Sequence, residues 1–353
     1  MIINYCIFFF VVTMFFCNFA SNFNHVKHRK MYTIEALQEK VKQSFAEQNF
    51  IYEPKLLYAP IEYTLSQGGK RLRPVLLLAG CDLFDGDCSQ AIDAAIGIEI
   101  FHNFTLLHDD IMDNAAVRRG RPSVPAKWGE NVAILSGDAM MIAAYQLLGR
   151  TQTDRLHPIL SVFSETAIGV CEGQQYDMDF ETKQKVSVVE YMRMIELKTS
   201  VLLAGAVVIG AMLGGASEED CKALRRFAIE LGLAFQLQDD LLDSYGDERL
   251  GKAIGGDILE GKKTYLMITA MSRADEEQRE VLRTTHLDAK LSDAEKIARV
   301  KSLYDALDVP HLTEQQIAIR FERALAQLDS LQTDPARIEP LREYAKSLMG
   351  RNK

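Results

Sequence analysis

The 353-residue chain has six cysteines (6, 17, 81, 88, 171 and 221) and no C-x-x-C pair among them. So few thiols in so long a chain exclude a disulfide framework, and they suit reduced thiols in a reducing compartment. Basic charge is also scarce, with 40 Lys and Arg against 49 Asp and Glu. Residues 1–30 hold three of those bases (Lys27, Arg29, Lys30) and no acid, so the remainder sets 37 bases against 49 acids. That balance excludes nucleic acid as a partner. Proline is missing from all of 159–309, and runs of alternating apolar and polar residues are absent. Strands are therefore not expected, and long helices are. There is no repeat of fixed period and no low-complexity tract.

One long apolar run exists, from Ile2 to Ala20, broken only by Asn4, Thr13 and Asn18. Its flanks do not fit a secretory signal, because no Lys or Arg precedes Lys27 and the positive cluster follows the run. The expectation is an upstream extension of the reading frame outside the fold, with Met31 as the true start, a domain over 31–353 and a cytoplasmic protein. A membrane anchor on a structural protein is the competing view.

What remains is helical in pattern. Ile34, Leu37, Val41 and Phe45 keep the spacing of an amphipathic helix, and Pro74 stands before Val75, Leu76, Leu77 and Leu78, where a first helical turn welcomes it. Segments 88–113, 159–181, 187–213 and 218–245 are long and rich in Ala, Leu and Ile, several of them apolar nearly all round. Helices of that kind are buried on most sides. The fold expected is all-α: a single large antiparallel helix bundle with a central cavity.

Two aspartate clusters interrupt the apolar pattern. Asp109, Asp110 and Asp113 repeat as Asp239, Asp240 and Asp243, both D-D-x-x-D, set among residues such as Phe104, Leu107, Leu231 and Phe235. Carboxylates stacked on a helix repel, and without a cation they lose stability or gain protons. Oxygen-only ligands in small number suit Mg²⁺, which keeps waters and shares its shell with phosphates, and no His/Cys set competes for zinc. At about 100° per residue, His102, Asp109 and Asp113 fall on one face, and Gln236, Asp239, Asp240 and Asp243 within one sector of the second helix. Facing each other, two such helices would enclose a polar cavity.

Bases accompany these acids. Gly68-Gly-Lys-Arg-Leu-Arg-Pro74 precedes the first cluster, Arg118-Arg-Gly-Arg-Pro122 follows it, and Gly251-Lys-Ala-Ile-Gly-Gly-Asp257 and Gly261-Lys-Lys-Thr264 follow the second. Arginines that fork onto oxyanions beside a Mg²⁺ site are equipment for a diphosphate. The G-x-x-x-x-G-K-[ST] phosphate loop is absent, so nucleotide hydrolysis has no support.

In this order and spacing, GGKRLRP, HDDIMD, RRGRP, GQQYD (173–177), Lys198-Thr199, FQLQDDLLD and GGDILEGKKT, the chain resembles the trans-prenyltransferases, the isoprenyl diphosphate synthases of the farnesyl and geranylgeranyl type. The resemblance covers about Tyr58 to Leu266. It implies Mg²⁺-dependent, head-to-tail condensation of isopentenyl diphosphate with an allylic diphosphate, with about three Mg²⁺ ions. By matching, Asp109, Asp113 and Asp239 would be metal ligands, Asp243 direct or one step removed, and Asp177 the holder of a metal-bound water. Lys70, Arg73, His102 and Arg119 would seat isopentenyl diphosphate; Arg118, Lys198 and Lys262 would hold the allylic diphosphate, and Thr199 and Gln236 would line the allylic cation beside Lys198. A dry tunnel in the bundle would keep the cation from water. Met192, Met194 and Met212 are core filling.

The family's product length is limited by residues four and five before the first aspartate motif, here Thr105 and Phe104, with Phe101 at the eighth. Thr105 and Phe101 lie about 40° and 80° from Asp109 around the helix, but Phe104 about 140° away, so its place in the floor rests on the resemblance. An aromatic near the pocket implies a short product of C15 to C20. The absence of the two-residue insertion of many bacterial farnesyl synthases favours C20. Alternatives are a longer-chain synthase, a class I terpene cyclase, which would not need the GGKRLRP seat, and a non-catalytic subunit of a heteromeric synthase, which would generally have lost aspartates. Family members are usually homodimers, and the apolar helix at 88–108 is compatible with a buried interface.

Overall fold

The structure, a computed structural model, describes residues 31–246 and 254–350, and the expectations for 1–30 and for Gly251, Lys252 and Ala253 lie outside them. The described residues from Tyr32 onward form one compact unit. The Thr33 side chain accepts the Ala36 N–H at 3.2 Å and starts α1 (Ile34–Ala46), which buries Ile34, Leu37 and Val41 as the spacing predicts. Next come α2 (Lys55–Ser66) and α3 (Leu72–Leu83), with Pro74 in the first turn of α3. α4 (Ile92–Met112) ends in the first aspartate motif, with Asp113 as its C-cap.

Strands were not expected, yet a minimal hairpin follows, β1 (Val117–Arg118) paired with β2 (Arg121–Pro122), and it carries the RRGRP motif. Two residues per strand are too few for an alternation to show. α5 (Val124–Trp128), α6 (Glu130–Gly149) and α7 (Leu156–Thr182) lead to α8 (Val188–Ile195), which Ser187 and Glu190 open with a reciprocal capping box. The expected single helix over 187–213 is interrupted by a π-helical turn at Glu196–Ser200, after which α9 (Val201–Leu213) continues. α10 (Glu218–Tyr245) holds the second aspartate motif. The remainder is α11 (Gly256–Leu259), α12 (Tyr265–Arg273), α13 (Glu276–Thr284), α14 (Asp293–Ala306), α15 (Val309–Leu328) and α16 (Pro335–Met349).

Every residue of α9 from Val201 to Ala211 is buried, which is what its all-round apolar sequence demands. It packs between α3 and α10, while α4 lies against α6 and α10 against α15. Each fully buried leucine in such a core contributes about 1.5–3 kcal/mol. The helix at 88–108 is buried by its own chain: Ala94, Ile98 and Ile100 have no exposure. That corrects its suggested part in a subunit interface. Exposed apolar residues lie instead on α6, where Leu135 and Ile142 keep 59% and 55% of their surface. Met194 is buried and Met192 and Met212 pack on core clusters, in line with the filling role. Cys81 and Cys88 are buried free thiols, Cys171 is free and exposed, and Cys221 is free and partly exposed.

Candidate active site

The two aspartate motifs divide their labour in the same way. Asp110 and Asp240, the second residue of each, are buried at 3% and 5% exposure. The outer residues Asp109, Asp113, Asp239 and Asp243 keep access to solvent. Asp110 receives Arg118 through Nε at 2.8 Å and Nη2 at 2.5 Å, so this arginine anchors the β1–β2 hairpin to α4. Asp240 is the acceptor of a denser network: the Tyr191 hydroxyl donates to Oδ2, the Tyr265 N–H to Oδ2 at 3.3 Å, and Gln236 Nε2 to Oδ1 at 3.2 Å. Burial, opposed first by the Tyr191 hydroxyl, pushes its carboxyl up to about 7. Neither role was visible in the sequence, because the motif spacing is blind to which carboxylate turns inward.

Gln236 is thereby fixed in orientation. With Nε2 on Asp240, its Oε1 accepts the Thr199 hydroxyl at 3.2 Å. Thr199 and Lys198 both sit in the π turn, a distortion that collects at functional sites because it re-aims side chains out of the α-ladder. Two glycines admit it. A Cβ on Gly173 would stand 2.2 Å from the Lys198 backbone nitrogen, and one on Gly232 2.6 Å from Ser200 Oγ. Gly173 opens the GQQYD motif, whose spacing alone gave no reason for a glycine there.

Lys198 Nζ pairs with Asp177 Oδ2 at 2.6 Å. The same lysine is the strongest influence holding Asp109 down against burial, while Asp113 and Asp177 push it up; burial prevails and raises the Asp109 carboxyl to about 6. Lys262, paired with Glu260 at 2.8 Å and nearing Asp257 at 3.9 Å, also feels Asp113. Asp257 donates its N–H to Asp243 Oδ2 at 3.1 Å. Lys198 and Lys262 thus link the first motif to Asp177 and to the loop behind the second. Among the described residues no three His, Cys, Asp or Glu side chains close into a cage by themselves. Oxygen donors of this kind, one of them raised by burial, fit a hard cation that completes its shell with substrate phosphate.

Two turns before Asp109 on α4 the charge reverses. His102 is driven well below its ordinary range by burial and then by Arg73, Arg119, Arg71 and Arg118, so it stands neutral among cations. Burial also pulls Arg73 down to about 10, and its Nε has no hydrogen-bond partner. Arg71 is spent on Glu99 (2.8 Å) and the Leu65 carbonyl (2.6 Å). Arg119 donates to the Gly68 carbonyl and lies over Gly69. Both Arg71 and Arg119 hold left-handed backbone conformations, φ 47° and 52°, strain of the kind retained where geometry serves a ligand. Lys70 is exposed in the same turn. Pinning this side, the Tyr63 hydroxyl donates to the Pro122 carbonyl at 2.8 Å.

Of the length-limiting candidates, Phe101 is buried at 1% exposure, Phe104 at 8%, and Thr105 is half-buried with its hydroxyl on the His102 carbonyl at 2.8 Å.

The all-α bundle, with an acidic motif on α4 and another on α10, has the isoprenoid synthase fold of its structural neighbours. The chain belongs to the polyprenyl synthetase family, whose signature matches residues 54–307. It is 44% identical over 226 residues to a geranylgeranyl diphosphate synthase of Methanosarcina mazei, spanning 63% of this chain and 70% of that one. A crystal structure of a geranylgeranyl pyrophosphate synthase matches with a TM-score of 0.86 at 40% identity, covering 92% of this chain and 100% of the other. Polyprenyl synthase from Caulobacter crescentus, solved with calcium and isoprenyl diphosphate, matches with a TM-score of 0.80 at 28% identity, covering 92% and 100%.

Proposed function

We propose that this chain condenses isopentenyl diphosphate with an allylic diphosphate to give a short all-trans prenyl diphosphate of C15 to C20, C20 favoured. The observation that carries the reading is the gathering of Arg71, Arg73, Arg118 and Arg119 around a buried, neutral His102, with Arg73 Nε unpartnered, on the same helix as a carboxylate, Asp109, that burial raises. One diphosphate would neutralise the arginines; a second, with cations, would neutralise the aspartates.

Arg73, His102, Arg119 and Lys70 would seat isopentenyl diphosphate, the neutral imidazole giving one N–H and the guanidiniums their forks. Lys198 and Lys262, with Arg118 steadying the hairpin, would hold the allylic diphosphate against the motif face. Mg²⁺ held by Asp109, Asp113, Asp239 and, directly or one step removed, Asp243 would supply the charge that makes the diphosphate a leaving group. The cation left behind would lie by the oxygens of Thr199 and Gln236, which the Asp240 network keeps aimed. Apolar helices around the site exclude water, which would otherwise trap that cation.

The expected partner in assembly is a second copy. Ile134, Leu135, Ile142 and Tyr145 form one exposed stripe on α6, a helix of mean hydropathy 1.4. An apolar face of this size is covered in most soluble proteins. The protein is proposed to be cytoplasmic, with Met31 as its start; sequencing the N-terminus of the soluble protein tests this.

The decisive experiment incubates the protein with Mg²⁺, isopentenyl diphosphate and either dimethylallyl or farnesyl diphosphate, and sizes the products. C20 as the main product is expected. Dominance of C30 or longer overturns the length, and no condensation at all overturns the reaction.

A further inference from the structure

Gly261-Lys-Lys-Thr264 carries two adjacent lysines, and the function proposed above uses only the first. Their side chains have different partners. Lys262 is exposed, pairs with Glu260 at 2.8 Å, nears Asp257 at 3.9 Å and feels Asp113. Lys263 is half-buried, and its Nζ donates to two backbone carbonyls, that of Phe180 and, at 3.0 Å, that of Glu181. Both carbonyls belong to the last turn of α7, which ends at Thr182. Carbonyls in that position have no further turn to receive them and gather the negative end of the helix dipole, so an ammonium suits them.

The stretch from Asp257 to Tyr265 is held to α10 as well, at two points. Asp257 donates its N–H to Asp243 Oδ2 at 3.1 Å, and Tyr265 donates its N–H to Asp240 Oδ2 at 3.3 Å. Neither bond fixes the stretch relative to α7. On another side it meets His286: Gly261 has a left-handed φ of 67°, and a Cβ there would stand 2.7 Å from the imidazole. Gly261 thus turns the chain where His286 leaves no space for a side chain. α7 also carries Asp177, one turn before Glu181, and Asp177 takes Lys198 at 2.6 Å. The Lys263 bonds therefore join the stretch that bears Lys262 to the helix that holds Lys198.

We propose that Lys263 is a positioning residue for the allylic diphosphate: by capping the C-terminal turn of α7 it sets the spacing of Lys262 and Lys198, and with it the affinity of that site for a diphosphate. This rests on the prenyl-elongation reading given above. Lys263 itself touches no substrate. The seat proposed for isopentenyl diphosphate, on α3, α4 and the hairpin, makes no use of this stretch.

Lys263→Met keeps the length of the side chain and removes its charge and its donors. It should raise KM for the allylic diphosphate about tenfold, the weight of one charge-assisted hydrogen bond. kcat and the KM for isopentenyl diphosphate should stay within about twofold, since only ground-state binding of one substrate is loosened. Lys263→Arg, which can still donate to both carbonyls, should restore the allylic KM. Calorimetric titration with Mg²⁺ and inorganic diphosphate should show the same tenfold loss for Lys263→Met without any turnover. In a Lys262→Met background the substitution should add almost nothing, because Lys263 acts through its neighbour. An unchanged allylic KM overturns the proposal, as does an equal rise in both KM values or a full effect in the Lys262→Met background. Should Lys263→Met fail to fold, Lys263→Gln, shorter and uncharged, is judged by the same criteria. A wild type that condenses nothing removes the elongation reading, and the diphosphate titration then decides Lys263 alone; a wild type that binds no diphosphate removes both.

Discussion

Burial of the second aspartate in each motif assigns it to holding other groups, and Asp240 shows what that does. Three donors converge on it, one of them Gln236, and through Gln236 the Thr199 hydroxyl is oriented as well. Tyr191→Phe deletes one donor to a buried carboxylate. It should cost about 1–3 kcal/mol of stability in thermal or urea unfolding, and lower kcat with little change in KM, since in the proposed function the group it loosens would border the reacting carbon rather than a diphosphate. An unaltered kcat would detach Asp240 from the chemistry. The charges give a pH prediction. Asp109 at about 6 and Asp240 at about 7 are raised carboxyls, so the stability their protonated forms confer is full below the ordinary carboxylate range and lost as pH climbs through 6 and 7. The metal-free protein should melt a few degrees lower at pH 8 than at pH 5.5, and Mg²⁺ with inorganic diphosphate should raise the melting temperature more at pH 8. A metal effect equal at both values would contradict this account. The sequence announced which aspartates matter but not their inward or outward direction, because that depends on donors from α8 and α12 far along the chain.

At the scale of elements, the helices were legible and their faults were not. Patterning placed α4, α7 and α10 within a few residues of their ends, since hydrophobic spacing and capping act locally. The π turn left no such trace: Glu196-Leu-Lys-Thr-Ser200 lies between two good helical runs, and only the glycines across from it, Gly173 on α7 and Gly232 on α10, make room. Gly173→Ala therefore tests the element. A methyl 2.2 Å from the Lys198 nitrogen forces the turn to move, and overpacking of this kind costs about 1–3 kcal/mol. Activity should fall much further than stability, on the order of 10²-fold, because displacement near the reacting centre is amplified in rate. Circular dichroism and melting would show a folded protein while the turnover assay shows the loss. Near-normal turnover would mean that the turn tolerates displacement.

For the molecule as a whole, an all-α bundle follows from composition, whereas the face it offers to others does not. Apolarity alone pointed to 88–108, yet that helix is enclosed by α3, α6 and α9 of its own chain. A helix wholly apolar belongs inside, and one apolar on an outer stripe belongs at a contact. α6 is of the second kind: 39% of its most apolar window is buried, against 83% in the window spanning α8 and α9. Leu135→Glu with Ile142→Glu places two charges on the stripe without touching the aspartate motifs. Light scattering after size exclusion should give twice the chain mass for the wild type and the single mass for the double variant. If the double variant keeps the doubled mass, the two copies meet elsewhere. If the wild type itself runs as a monomer, the stripe on α6 is no homodimer contact.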